Sequence, residues 1–186
     1  MAPDPLILAS RSPQRRAILE QLEVEFVVEE VDVEEATEGD PRRVVLENAR
    51  RKVEAAAPHK GPVLGVDTAV VLDGRVFGKP ADAAEAELLL RRLSGRTHEV
   101  MSGIHLRAGR DERSDVAVTR VRFRRLEQRD IAWYLASGEW RERAGGYAIQ
   151  GMGAALVEEI DGDYWNVVGL PVPALLRLAP DLLRAA

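Results

Sequence analysis

An aspartate stands inside a strand-like run that offers it nothing to bind. Val63-Leu64-Gly65-Val66-Asp67-Thr68-Ala69-Val70-Val71-Leu72 is apolar and β-branched around Asp67, the composition of a strand buried on both faces. A carboxylate in such a place costs roughly several kcal/mol unless a cation, a metal or a proton compensates it. Asp73-Gly74 then signals a tight hairpin turn. The returning Arg75-Val76-Phe77-Gly78-Lys79-Pro80 would deliver Lys79 beside the acid. Two readings are open: a structural aspartate paired with an arginine, or a catalytic carboxylate with a lysine at its side.

A second group of residues is suited to holding an anion. Ser10-Arg11-Ser12-Pro13-Gln14-Arg15-Arg16 opens a predicted helix, with Ser12 as N-cap and Pro13 as its first residue. Arg11, Arg15 and Arg16 crowd the end where the macrodipole disfavours cations, at about a few tenths of a kcal/mol each. A bound phosphate would reverse that penalty, because helix N–H groups, serine hydroxyls and a guanidinium would converge on it. Otherwise these arginines are solvated or pair with Glu20, Glu29 and Glu30. Asp32-Val33-Glu34-Glu35 is an acidic loop, either a solvated surface or oxygen ligands for a hard divalent cation. Lys52, four residues after Asn48 on one helix edge, either snorkels to solvent or reaches a site at the sheet's edge. Arg143-Ala144-Gly145-Gly146-Tyr147-Ala148-Ile149-Gln150-Gly151 reads as a mobile loop whose recognition-capable side chains are Tyr147 and Gln150.

These groups need a scaffold, and the spacing of apolar residues predicts one. Residues 6–9 and 24–28 read as strands, and residues 13–23 as the helix between them. Asp40-Pro41 starts a helix to about residue 57, with Val45, Ala49, Val53 and Ala56 as its inner stripe. A helix over 83–93 follows, then strands over 98–107 and 115–125. In the second of these, Thr119, Val121 and Phe123 alternate with Arg120, Arg122 and Arg124, one buried face and one solvated. Residues 127–137 read as a helix closed by Gly138. Residues 154–160 and 164–168 read as a hairpin across Asp161-Gly162. A final helix starts at Pro173, and Pro180 kinks or splits it. Helices alternating with strands early and hairpins later predict an α/β domain with a mixed sheet.

Composition removes several function classes. The 186 residues, 46% of them hydrophobic, are enough for one core, so residues 1–186 are expected to form a single domain. A net charge of -5 argues against nucleic acid as a partner. The absence of cysteine excludes disulfides and thiolate metal sites. Without a long apolar segment or signal-peptide pattern, a cytoplasmic protein with no membrane partner is expected. There is no Walker A loop, dinucleotide fingerprint or paired-histidine zinc motif, and His59, His98 and His105 are scattered.

Taken in order, Leu8-Ala9-Ser10-Arg11-Ser12-Pro13-Gln14-Arg15-Arg16, Gly65-Val66-Asp67-Thr68, Phe77-Gly78-Lys79-Pro80, Leu93-Ser94-Gly95-Arg96-Thr97-His98, the glycine-rich segment 144–151, Gly162-Asp163-Tyr164 and Val168-Gly169-Leu170-Pro171 resemble the Maf family of nucleoside triphosphate pyrophosphatases. The resemblance implies a Maf/ITPase-like elongated α/β fold: a central mixed sheet, flanking helices and a cleft between two lobes. It implies hydrolysis of a nucleoside triphosphate to the monophosphate and pyrophosphate with Mg²⁺ or Mn²⁺, in a homodimer. By position, Asp67 matches the family's proton acceptor, and Lys52 and Lys79 match the lysines facing the triphosphate. Ser10 and Arg15 match the phosphate-binding turn that also holds Arg11, Ser12 and Gln14. Glu35 matches the acid near the metal, which Asp67 could also ligate. Thr68 and Gln150 match the dTTP/UTP branch, whereas the 7-methyl-GTP branch carries a glutamine and a glutamate there. Gln14 departs from both branches, which have arginine and tryptophan, and Val66 replaces the usual alanine or serine. The implied activity is that of a house-cleaning enzyme for dTTP, UTP and modified pyrimidine nucleotides. Its rivals are a purine or 7-methyl-GTP pyrophosphatase and a non-catalytic regulator of septum formation that binds protein or nucleic acid.

Overall fold

The computed structural model describes residues 4–184. Its strands are β1 (Leu6–Ala9), β2 (Phe26–Glu29), β3 (Val63–Leu72), β4 (Arg75–Phe77), β5 (Thr97–Ala108), β6 (Asp111–Phe123) and β7 (Val157–Asp161). They form one mixed sheet in the order β2-β1-β3-β5-β6-β7, with β4 against β3. The helices are α1 (Pro13–Gln21), α2 (Pro41–Ala55), α3 (Ala83–Leu93), α4 (Gln128–Ser137), α5 (Tyr164–Val168) and α6 (Val172–Leu178). The expected first three and last two residues of the domain lie outside the described residues. Among those described, no helix is long and apolar enough to cross a membrane.

The two edges of β3 are used differently. β5 runs antiparallel along one edge from Val63 to Val71. The other edge is shared: β1 pairs parallel with Val63–Gly65, and β4 pairs antiparallel with Val70–Leu72. Residues 66–69 therefore have no strand beside them on that side, and Asp67 and Thr68 sit in the middle of the opening. It lies at the carboxyl end of β1, where open α/β sheets place their ligands.

Side-chain alternation then divides the neighbourhood. On one face, Leu64 and Val66 pack with Leu8, Leu19, Leu170 and Leu175. Further along the same face, Val70 and Leu72 join a separate cluster with Leu90, Phe123, Ile131 and Tyr134. Thr68 falls between these two cores. On the opposite face α2 lies directly on β3 and β5, a contact that two glycines permit. A Cβ at Gly65 would stand 2.2 Å from the Ala49 carbonyl oxygen, and one at Gly103 2.3 Å from that of Val45. Gly103 is the cross-strand neighbour of Asp67, so α2 meets the sheet at the level of the acid.

Four local expectations are corrected and two hold. Residues 164–168 form α5 rather than a strand, because Asp163 caps it by accepting from Trp165 N at 2.9 Å. The partner of β7 is β6, and a 3₁₀ turn (Met152–Leu156) replaces the strand's expected start. The first helix ends at Gln21, two residues early, with Leu22 as its C-cap. The glycine-rich segment is packed, not loose: Gly145 and Gly146 adopt positive φ, and Tyr147 is buried edge-to-face against Phe123 with its hydroxyl 2.9 Å from His98 Nε2. Tyr147 is thus a core residue. The break at Pro180 holds, since α6 stops at Leu178 and a 3₁₀ turn (Leu182–Arg184) follows. The arginine row of β6 is a solvated, ion-paired face, with Arg120 on Asp161, Arg122 on Glu158 and Glu159, and Arg124 on Asp130.

Two stability measurements check this packing. Gly103→Ala should lose about 3 kcal/mol in urea unfolding, since the new methyl meets backbone that cannot swing aside; an unchanged midpoint would mean α2 is not seated there. Burial lowers the His98 pKa from 6.5 to about 4, so the unfolded chain binds its proton more readily. That contribution, about 3 kcal/mol, is present above pH 6.5 and is lost as pH falls toward 4. His98→Gln should flatten the pH dependence of stability in that window, and a slope equal to the parent's would contradict it.

Candidate active site

Asp67 points to the face covered by α2, which meets it with two donors one turn apart. Lys52 Nζ lies 2.7 Å from Asp67 Oδ1, and Asn48 Nδ2 donates to Oδ2 at 3.0 Å. Their i, i+4 spacing places both on one helix edge, and Lys52 also sits in the last turn, where the helix dipole favours a cation. Lys52 Nζ donates further to the Val66 carbonyl at 3.3 Å and pairs with Glu35 Oε1 at 2.7 Å. The Lys52 and Asp67 side chains are each only 10% exposed. The partner of the buried acid is therefore a lysine, not an arginine. Removing either member of such a pair typically costs about 3–5 kcal/mol, because the other charge stays buried.

The other face of the opening is held by Arg15. Its Nη1 donates to Ser10 Oγ at 3.0 Å, Nη2 to Thr68 Oγ1 at 3.2 Å and Nε to the Gly169 carbonyl at 2.8 Å. Thr68 Oγ1 also lies 2.8 Å from Ser102 Oγ, its cross-strand neighbour. The turn itself is built by caps: Ser12 Oγ accepts from Arg15 N at 3.5 Å, and Ser12 N donates to Ser10 Oγ at 3.2 Å. Burial lowers the pKa of Arg15, while the charges of Asp67 and Glu35 oppose that shift. The guanidinium and the acid pair thus share one field across the opening. Each terminal nitrogen of Arg15 has one N–H beyond these bonds.

Other expected residues are placed differently. Lys79 is not bonded to Asp67; its Nζ bonds Glu142 Oε2 at 2.8 Å on the exposed surface. The hairpin does not carry it to the acid, because β4 ends at Phe77 opposite Val70 and the Gly78 carbonyl accepts from Gly145 N at 3.0 Å. The Glu142 carboxyl is held below the usual range by that hydrogen bond and by the charge of Lys79, with Arg11 and Arg143 adding to it. Of these cations only Lys79 bonds that carboxylate. Arg16 pairs with Glu20 at 3.9 Å, as the ion-pair alternative had it, whereas Arg11 pairs with Asp32 at 3.1 Å, a partner that alternative did not name. Gln14 Oε1 accepts from Ser12 Oγ at 3.3 Å. Gln150 is exposed and has no hydrogen-bond partner among the described residues. Among them, too, no three His, Cys, Asp or Glu residues are grouped to hold a metal ion; Glu35 and Asp67 meet only through Lys52.

Sequence reasoning missed the contacts of Asn48, Ser102, Gly169 and Glu142. Asn48 carried a readable signal, an asparagine where a helix prefers other residues, one turn before a lysine. The contacts of Gly169 and Glu142 bridge distant parts of the chain and leave no local trace. A cavity of about 400 Å³ lies elsewhere, near the amino ends of β1 and β3 beside Leu6, Pro62, Leu106 and Leu178. None of the residues above lines it. The Lys79–Glu142 pair is exposed and should contribute under about 0.5 kcal/mol to folding. Glu142→Gln should keep the melting midpoint but tighten pyrophosphate binding severalfold by calorimetry; unchanged affinity would separate this pair from the opening.

The family model and the relatives agree with one another. A family model described as Maf-like protein matches residues 5–182. The dTTP/UTP pyrophosphatase of Symbiobacterium thermophilum is 49% identical over 177 residues, 93% of this chain and 91% of that protein. The dTTP/UTP pyrophosphatase of Thermus thermophilus is 47% identical over 94% of this chain and 92% of its own length, and that of Pyrococcus furiosus 43% identical over 93% of each. The solved Staphylococcus aureus Ham1 protein matches 64% of this chain and 72% of its own at a TM-score of 0.47 and 19% identity, too distant to bear on function.

Proposed function

This chain belongs to the Maf family, and from that premise we propose that the opening beside β3 hydrolyses dTTP and UTP to the monophosphate and pyrophosphate. The observation that carries the proposal is a buried carboxylate, Asp67, set at an open strand edge between Lys52 on one face and the Ser10–Arg15 turn on the other. The dTTP/UTP pyrophosphatase relatives support the substrate.

In this reading the triphosphate enters at the α1 turn, where N–H groups, Ser10, Ser12 and the remaining N–H groups of Arg15 meet its oxygens. Asp67 accepts a proton from the water that attacks the α-phosphorus. The P–O bond to the β-phosphate breaks, and pyrophosphate leaves with the bonding pair. Charge on the phosphates is neutralised by Arg15, Lys52, Arg11 and Lys79, the last after Glu142 gives it up. Lys52 also holds Asp67 Oδ1 in place at 2.7 Å.

Glu35 and Asp67 fit a divalent cation. Their oxygens lie within reach of one ammonium, so they can share one hard ion. One or two carboxylates plus substrate phosphates is the donor set that Mg²⁺ adopts, with Mn²⁺ alike in its preference for oxygen. Bound there, the metal would supply Lewis-acid charge neutralisation on the phosphate oxygens. For the base, Thr68 and Gln150 favour a pyrimidine, whose edge an amide can both donate to and accept from. Gln14, on the α1 turn, departs from both branches and adds nothing to that preference.

A panel of triphosphates incubated with Mn²⁺ and read by pyrophosphate release should place dTTP and UTP well above CTP, purine nucleotides and 7-methyl-GTP. Asp67→Asn, assayed at a temperature where it remains folded, should lose at least ~100-fold in turnover. Release of orthophosphate instead of pyrophosphate, or near-native turnover in that variant, would refute the assignment.

A further inference from the structure

We infer that Asn48 is a positioning residue for this hydrolysis, holding Asp67 and the loop of Glu35 in one geometry; the inference rests on the assignment of Asp67 above. Asn48 is 2% exposed, and its amide is fully engaged. Oδ1 accepts from Ala36 N at 2.8 Å, while Nδ2 donates to the Ala36 carbonyl at 3.0 Å and to Asp67 Oδ2 at 3.0 Å. Only this orientation of the amide works. Flipped, it would set Oδ1 against a carbonyl and a carboxylate, and an NH₂ against an N–H.

The bonds close a ring through the candidate site. Asn48 brackets both backbone groups of Ala36, in a segment between β2 and α2 that has no regular ladder. Glu35 precedes Ala36, so fixing that backbone sets its carboxylate on Lys52, whose other anionic contact is Asp67 Oδ1. Asp67 Oδ2 returns to Asn48. The acid is thereby held at both oxygens, by a cation on one and a neutral donor on the other. The second donor is neutral, so it orients the carboxylate without adding a second positive charge beside it. A residue chosen only for packing at this buried helix position would be apolar, since an unpaired buried amide is costly and asparagine is a poor helix former.

Asn48→Ala removes the whole bracket, whereas Asn48→Asp keeps an acceptor for Ala36 N–H but cannot donate to Asp67 when ionised. Each should be compared with Asp67→Asn in kcat and KM for dTTP with Mn²⁺, in urea unfolding, and in Mn²⁺ binding by electron paramagnetic resonance without turnover. Both Asn48 variants should lose roughly 10- to 100-fold in kcat with KM changed by no more than about 3-fold, and Asn48→Ala should bind Mn²⁺ at least severalfold more weakly. Either variant alone suffices should the other fail to fold. A folded variant with kcat within about twofold of the parent, or a loss confined to stability or KM, would overturn the inference while an inactive Asp67→Asn left the active site standing. Full turnover in Asp67→Asn would remove the site assignment, and this inference with it.

Discussion

The pairing of Asp67 with Lys52 is the constraint from which the rest of the site follows. A carboxylate in the middle of β3 needs a compensating partner within bonding distance, and the cation that serves here must come from the face on which the acid points. α2 provides it, because Gly65 and Gly103 let the helix lie directly on the sheet. A side chain at either glycine would lift the helix and leave the acid unpaired. The two glycines are therefore as much a part of the site's electrostatics as the lysine.

The opening at this acid is a product of strand geometry. Neither β1 nor β4 covers residues 66–69 of β3, so consecutive residues that point to opposite faces can serve one crevice. Asp67 serves it from the α2 side, and Thr68 from the side of Arg15. Thr68 also marks the seam between the two apolar cores, and Arg15 ties that seam to Gly169. Rigid elements thus hold every near partner of the acid, the condition for a site that is ready before its substrate arrives. The cations further out, Lys79 and Arg11, are exposed and already engaged with carboxylates, so in the proposed reaction phosphate would have to displace those partners.

Much of this was legible in the sequence for local reasons. A charge inside an apolar run, a serine–proline helix start and a misplaced cluster of arginines are visible within a dozen residues, and each led to a residue now found at the opening. The mixed α/β sheet followed from the same periodicity. The Asp161-Gly162 turn misled because two local signals competed, and the cap at Asp163 prevailed over the hairpin pattern. Lys79 misled for a topological reason, since the returning strand leaves β3 after Phe77, where the Gly78 carbonyl accepts from the distant Gly145 N. The exposed Gln150 has no partner that would fix its place, so its part in base choice rests on resemblance alone.

The most direct test of the central idea is a crystal structure with Mn²⁺ and a dTTP analogue whose α–β bridge cannot be cleaved. The α-phosphate should lie in the opening between β1 and β4, with Asp67 as its nearest carboxylate and Arg15 donating to a phosphate oxygen. A triphosphate bound elsewhere, with Asp67 still closed against Lys52 and away from every phosphate, would contradict the account.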